Sequence, residues 1–153
     1  MTFQAASLAQ TSDLQWHTTS TQPGWAFYGS SASSTVSVTG RVLRTSQAGD
    51  YVCHRGQRTE NSCGTVTDVA FAPSYSGACG SSGSCFAAFA KVEGPNLRCY
   101  PGDSGGPVYS GGLAYGWYKG QSSTGTTAAD CNYMFHMTSD YVGTVGASIL
   151  ISS

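Results

Sequence analysis

Short runs of β-branched and aromatic residues recur along the chain, and no helical period persists over ten residues. Residues 35–39 alternate hydroxyl side chains with valines, which is typical of a strand with one buried face. Clusters of Gly, Ser, Asn and Pro separate the runs, as turns between short strands require. The predicted strands lie at 35–39, 51–53, 64–69, 85–90, 107–109 and 113–118. This pattern predicts an all-β barrel or sandwich.

The segments between these runs carry their own signals. Residues 76–84 and 121–129 are polar and predict loops, the first closed by a Cys79–Cys85 disulfide. Residues 138–145 predict a short helical turn, with Thr138 or Ser139 as its N-cap. Before about Val36 the strand signals are few, beyond residues 14–16. No internal repeat or clear domain boundary is visible, so one domain is expected.

Composition excludes several classes of function. The 153 residues carry a net charge of −1 and only 10% charged side chains, which argues against capture of nucleic acid or an anionic membrane. No apolar run approaches the roughly 20 residues of a transmembrane helix. Residues 1–10 lack the basic-then-apolar plan of a signal peptide. Aromatic residues, at 12%, are sufficient for a packed core.

An even number of cysteines in a small domain indicates disulfides and an oxidising compartment. The alternatives are a metal site or reduced core thiols. The sequence contains no C-x-x-C pair, and its histidines do not stand at metal-ligand spacing from the cysteines, so disulfides are favoured and no metal or cofactor is expected. The six cysteines are Cys53, Cys63, Cys79, Cys85, Cys99 and Cys131.

The most informative segment is 102–107, which reads Gly-Asp-Ser-Gly-Gly-Pro. A serine hydroxyl becomes a nucleophile only with a base to accept its proton and donors to hold the oxyanion that forms. A glycine two residues before Ser104 allows a turn in which the N–H groups of Gly102 and Ser104 converge. The alternative is a tight Gly-rich turn without chemistry.

This string resembles the nucleophile motif of the chymotrypsin/trypsin-like serine peptidases, and its surroundings are similar to the bacterial streptogrisin and α-lytic branch. Residues 52–66 resemble the Cys-hairpin-Cys-Gly element of that branch, which implies a Cys53–Cys63 disulfide. Cys99 and Cys131 resemble the disulfide that braces the specificity pocket. Residues 133–137 resemble the last strand of the family.

The resemblance implies a fold and a division of the chain. We expect an antiparallel six-stranded Greek-key β-barrel over residues 36–153, similar to the second of two barrels in a complete enzyme. Residues 1–35 are expected to be an N-terminal extension that keeps a remnant of the first barrel and the interbarrel linker. A barrel separated from its partner exposes an apolar face, and Trp16, Trp25, Phe27 and Tyr28 are candidates to cover it.

The resemblance also implies roles for individual residues. Ser104 would be the nucleophile, and the N–H groups of Gly102 and Ser104 would form the oxyanion hole. Apart from the resemblance, a cation near the primary pocket, Arg98 or Lys119, would favour acidic side chains of the substrate. The residues expected to line that pocket are Tyr118, Lys119, Gly120 and Arg98.

A serine relay also needs a histidine and a carboxylate that orients it. No segment of the chain resembles the family's histidine segment. Residues 13–17 resemble the segment that carries the triad aspartate, so Asp13 is the candidate. His17 lies four residues further along, about 13 Å in an extended strand, which is too far to be oriented by Asp13. A surface role for His17 is therefore favoured.

Two other histidines have structural interpretations. His54 or Arg55 is a candidate cationic partner for Asp103 of the nucleophile motif, and an exposed pair in a hairpin is the equal alternative. His136 lies in the segment expected to be the last strand, where a role in the core or at the pocket rim is favoured over catalysis.

The leading hypothesis is a secreted trypsin-like serine endopeptidase that hydrolyses peptide bonds through an acyl-enzyme on Ser104. The expected substrate is a polypeptide. Because the relay is incomplete in this chain, a second chain or an N-terminal half is expected to supply the histidine. A homo-oligomer is a further expectation; nucleic acid and membrane are not expected. The alternative is a non-catalytic barrel for binding or assembly, and a weaker one is a non-peptidase hydrolase.

Overall fold

A computed structural model describes residues 1–18, 20, 26–31, 33–80 and 83–152. Three short 3₁₀ segments among these residues are Arg44–Ser46, Ala128–Asp130 and Ser139–Val145. No helix in the described ranges is both long and apolar enough to cross a membrane. The strands are β1 (Thr2–Leu8), β2 (Asp13–Thr18), β3 (Ala26–Ser31), β4 (Ser34–Ser37), β5 (Gly40–Arg41), β6 (Tyr51–Gly56), β7 (Glu60–Phe71), β8 (Phe89–Glu93), β9 (Pro107–Ser110), β10 (Leu113–Ser123) and β11 (Cys131–Thr138).

Strands β6 to β11 form a closed antiparallel barrel. They follow one another around it in the order β11-β8-β7-β6-β9-β10, and a pairing between β10 and β11 closes the ring. The connection from β8 to β9 returns the chain to lie beside β6, which makes the order a Greek key. The short strand β5 adds a parallel pairing at the edge of β10. The predicted six-stranded barrel is confirmed.

The barrel interior is filled by aliphatic side chains and two tyrosines, and every barrel strand contributes to it. A second apolar cluster lies around Phe89, Phe135 and Met137 and is joined by the Cys79–Cys85 disulfide. The interior cluster contains Val52, Val66, Ala90, Val92, Leu97, Cys99, Val108, Tyr115, Tyr118 and Met134.

The first 37 residues contain more strand than the sequence pattern indicated. β1 pairs with β2, and β3 pairs with β4, as two separate antiparallel ribbons. In β2 the side chain of Leu14 packs against the second apolar cluster, and the indole Nε1–H of Trp16 donates to the Val145 carbonyl at 2.9 Å. Trp25 and the side chains of Phe27 and Tyr28, also candidates to cover the barrel, lie outside the described residues.

The three disulfides are Cys53–Cys63, Cys79–Cys85 and Cys99–Cys131, as the loop pattern and the resemblance implied. Two predicted boundaries are wrong. β8 begins at Phe89, since Cys85 ends the loop closed by the Cys79–Cys85 disulfide and residues 86–88 are not in a strand, and β10 continues to Ser123 within the predicted loop. The helical turn after Thr138 is present, although the Thr138 hydroxyl makes no capping bond.

Candidate active site around Ser104

The nucleophile motif forms a pair of tight turns between the Cys99–Cys131 disulfide and strand β9. The N–H of Asp103 donates to the Tyr100 carbonyl at 3.1 Å, and the N–H of Gly106 donates to the Asp103 carbonyl at 3.0 Å. Two further backbone bonds attach the turns to β10, from Gly105 N–H to the Tyr118 carbonyl and from Tyr118 N–H to the Gly106 carbonyl, both 2.8 Å. The Ser104 side chain between them is exposed.

The buried side chain of Asp103 holds this turn in place. Its side chain is 1% exposed. One carboxylate oxygen accepts the N–H groups of Arg58 at 2.9 Å and Thr59 at 3.1 Å; the other accepts the Thr59 hydroxyl at 2.7 Å and the Tyr100 N–H at 3.0 Å. Gly56 is required beside it, since a Cβ there would stand 2.1 Å from the carboxylate. The hairpin between β6 and β7 therefore fixes the position of Ser104.

The hypothesis that the side chain of His54 or Arg55 is the partner of Asp103 is wrong. In the described structure the carboxylate accepts hydrogen bonds only from backbone N–H groups and one hydroxyl. His54 Nε2–H donates instead to the Arg98 carbonyl at 2.8 Å, and its ring packs 4.9 Å from that of Tyr118. Burial lowers the pKa of His54, an effect partly offset by the Arg98 bond and by the charge of Asp103. His54 is thus a neutral structural residue beneath the site.

Gly102 has a backbone conformation that only glycine adopts easily. Its φ is +108°, and a Cβ would stand 2.9 Å from the Arg58 side chain. Within the described residues, the N–H groups of Gly102 and Ser104 donate to no other group. Two unused donors beside an exposed hydroxyl are what stabilisation of an oxyanion requires.

The Ser104 hydroxyl opens onto a cleft of about 680 Å³ between β2 and β10. Its own hydrogen bond goes to the Lys119 carbonyl, at 3.4 Å. Strand β2 forms the other side of the cleft. The cleft-lining residues are Asp13, Leu14, Gln15, His17, Ser104, Gly105, Trp117, Tyr118, Lys119 and Met137. The structure thus brings Ser104 and the candidate aspartate Asp13 into one cleft.

The Asp13 carboxylate is ion-paired with the Lys119 ammonium. The backbone N–H of Asp13 contacts the Met137 sulfur at 3.3 Å. His17 lines the same cleft, but its described ring contact is with Phe3, edge-on at 5.6 Å. No histidine in the described ranges hydrogen-bonds to Ser104 or Asp13, so the two groups share a cleft without a base between them.

Of the four residues expected to form a specificity pocket, Tyr118 and Lys119 line this cleft, whereas Gly120 and Arg98 do not. The Tyr118 ring lies in the barrel core with its hydroxyl donating to Gln121, and burial raises its pKa. Lys119 faces Asp13. Gly120 lies against Phe135, and exposed Arg98 is outside the cleft.

A second groove, of about 410 Å³, lies beside the start of the nucleophile turn. Sequence reasoning did not identify it, although one wall is contiguous with the motif and another is the end of β10. The Arg58 guanidinium covers the Tyr100 ring at its rim, 5.3 Å from the ring centre. The lining residues are Tyr100, Pro101, Gln121, Ser123, Gly125, Thr126 and Thr127, with no charged side chain among them.

Comparison with protein families yields no matching family model, and comparison with curated proteins yields no significant match. Solved structures do match. Cellulomonas bogoriensis chymotrypsin superposes with a TM-score of 0.77 at 20% identity, over 98% of this chain and 75% of that one.

Two further similar structures are Thermobifida fusca protease A and Nocardiopsis protease. Their TM-scores are 0.69 and 0.65, each at 22% identity, over 88% and 83% of this chain. The chain spans only 65% and 60% of their lengths. The fold of the chain is therefore that of the bacterial chymotrypsin-like serine proteases.

Proposed function

We propose that this chain carries the nucleophile of a serine endopeptidase and cleaves peptide bonds through an acyl-enzyme on Ser104. The observation that carries the proposal is an exposed serine on a rigid turn, next to two N–H groups that have no other acceptor. The Asp103 anchor supports it, because four hydrogen bonds hold that turn in one geometry.

In this mechanism the Ser104 hydroxyl loses its proton to a base as its oxygen attacks the scissile carbonyl. The N–H groups of Gly102 and Ser104 bind the resulting oxyanion, and the amine leaves with the proton. Water then hydrolyses the ester and regenerates Ser104. Asp13 lies in the cleft where it would orient a histidine, and that histidine is supplied by a second chain or by an N-terminal half.

Residues 1–35 are, in this proposal, what the chain retains of a first barrel and its linker. The division at residue 35 remains a prediction. The ribbons β1–β2 and β3–β4 both lie outside the closed barrel, which supports a separate N-terminal segment, although β4 (Ser34–Ser37) extends across residue 35. Three disulfides are consistent with an extracellular protein, and we propose secretion on that basis.

For the substrate, we propose that the second groove receives an uncharged side chain. Its lining contains hydroxyl, amide and ring groups, and no charge. The expected preference for acidic side chains through Arg98 or Lys119 has little support, since Arg98 lies away from the cleft and the charge of Lys119 is compensated by Asp13.

The test is intact-mass analysis of the purified chain after treatment with a fluorophosphonate, with Ser104→Ala as the matched variant. One adduct that is absent from Ser104→Ala is the expected result, at a slow rate without added base. A folded chain with all three disulfides and no adduct, even at alkaline pH, would contradict the proposal.

The second candidate is a non-catalytic barrel used for binding or assembly. The observation in its favour is that Ser104 contacts the Lys119 carbonyl and Asp13 contacts the Lys119 ammonium, so neither group of the relay engages a base. The same labelling experiment separates the two candidates, because a silent barrel does not react with the probe.

A further inference from the structure

The ion pair between Lys119 and Asp13 has no part in the proposed reaction. It joins strand β10 of the barrel to strand β2 of the N-terminal ribbon, within the cleft that Ser104 lines. The Lys119 side chain is only 11% exposed, whereas that of Asp13 is 41% exposed. The ammonium therefore lies within the cleft, between the carboxylate and the strand on which Ser104 rests.

We propose that Lys119 closes the site by competing with an imidazole for Asp13, so that this ion pair must open before a relay can form. The inference rests on the proposed function. A carboxylate orients a histidine by accepting its N–H, and its negative charge stabilises the imidazolium that forms during acylation. An ammonium bound to the same carboxylate compensates that charge and occupies the space an imidazole ring needs.

A different role for Lys119, as the base that activates Ser104, does not fit the contacts. An ammonium has three donors and no acceptor, so it cannot take a proton from serine. The hydrogen bond of Ser104 goes to the Lys119 carbonyl and not to its amine, which is engaged with Asp13. The side chain is thus placed to block the carboxylate rather than to act on the hydroxyl.

The experiment measures the rate of Ser104 labelling by a fluorophosphonate at about pH 8 with increasing free imidazole, which stands in for the missing histidine. An ion pair of this exposure is worth up to about 1 kcal/mol, so Lys119→Met should increase the imidazole-dependent rate about two- to fivefold. Lys91→Met is the matched control, because it removes the other ion pair, Lys91–Glu93, from strand β8. It should leave the rate unchanged. An equal or slower rate in Lys119→Met, including complete loss of labelling in a folded variant, overturns the inference.

A second measurement does not depend on a reactive serine. In the Ser104→Ala background, imidazole is titrated by NMR, and Lys119→Met is expected to tighten its dissociation constant about two- to fivefold. Adding Asp13→Asn should remove that gain. Equal affinity with and without Lys119 overturns the inference, even if no variant is labelled and the proposed function itself has failed.

Salt provides a test that needs no substitution at Lys119. Because ions screen a partly exposed pair, the Ser104→Ala chain should bind neutral imidazole more tightly at high than at low NaCl concentration. The Lys119→Met chain should lose most of this dependence. If the Ser104→Ala chain binds imidazole with the same affinity at low and high NaCl concentration, the inference is contradicted. This outcome can be read even if Lys119→Met does not fold.

Discussion

At the scale of single residues, Asp103 links the sequence motif to the geometry of the site. Its carboxylate is buried and accepts four hydrogen bonds, from Arg58, Thr59 and Tyr100. No cation is needed, because backbone N–H groups and one hydroxyl replace the water lost on burial. Because Ser104 follows Asp103 in the chain, these four hydrogen bonds also fix the position of Ser104.

Asp103→Asn should therefore destabilise the fold and slow labelling of Ser104. The side-chain NH2 of the new asparagine would replace one carboxylate oxygen and would face N–H or O–H donors that need an acceptor. Each buried group left unpaired in this way costs about 1–3 kcal/mol. Urea unfolding should show a loss of that order, and Glu60→Gln, on the same hairpin but exposed, should show almost none. Unchanged stability in Asp103→Asn would mean that the four bonds do not hold the turn.

At the scale of elements, closure of the barrel depends on the contact between β10 and β11. At Gly116 the two strands leave no room for a side chain, since a Cβ there would stand 1.9 Å from the Met137 carbonyl oxygen. β10 also carries Tyr118 and Lys119, whose backbone carbonyls bind Gly105 and Ser104. The strand that closes the barrel is thus the strand that supports the nucleophile.

Gly116→Ala is expected to separate β10 from β11 locally, because a backbone oxygen cannot move away without breaking the pairing. The loss of unfolding free energy should exceed about 2 kcal/mol, in the range of overpacked sites. Gly143→Ala serves as the control, since nothing lies within 4 Å of a Cβ there. Equal melting temperatures for the two variants by circular dichroism would contradict this account of the closure.

At the scale of the whole molecule, two histidines are buried in the neutral state. His54 lies under the nucleophile turn, and His136 donates to Gln47 at 2.9 Å on the other side of the barrel. Gln47 in turn donates to the carbonyls of Val42 and Tyr115, which ties the chain before β6 to β10. Burial lowers the pKa of both histidines, that of His136 to about 3.

These shifts predict acid sensitivity. In the unfolded chain these histidines have a pKa of about 6.5, so below that pH they bind protons in the unfolded chain but not in the folded chain. The free energy of unfolding is therefore highest above about pH 6.5 and falls as the pH decreases. His136 alone should remove about 1.4 kcal/mol per pH unit between about pH 6 and 4, and His54 adds to the slope. Carboxyl groups with lowered pKa, such as Glu93, contribute only at more acidic pH.

Urea unfolding measured between about pH 7.5 and 5 tests this prediction, because that window excludes most carboxyl titration. His17→Gln is the control: His17 is exposed, and its removal should leave the slope unchanged. A flat profile in this window would mean that the buried histidines can take up protons without loss of the fold.

Much of the architecture follows from short-range signals in the sequence. Short β-rich runs and turn residues identified the all-β class, and the cysteines identified a disulfide-bonded protein. The glycines of 102–107 identified a turn that presents a serine, because backbone freedom at glycine is a local property. Of the N-terminal strands, the sequence indicated only the segment around Leu14 and Trp16. β1 was missed because it is rich in small and polar residues and carries no alternating apolar pattern.

The partners of charged and polar groups were decided only by the tertiary structure. Asp103 is held by a hairpin whose residues lie 44 and 45 positions earlier, and Lys119 meets Asp13 across 106 positions. Such pairs leave no periodicity or spacing in the sequence, since they depend on how strands close around the core. The sequence by itself determined that a serine stands on a tight turn in a disulfide-bonded β protein. The fold decided which groups surround that serine, because only closure of the barrel brings β2, β10 and the β6–β7 hairpin together.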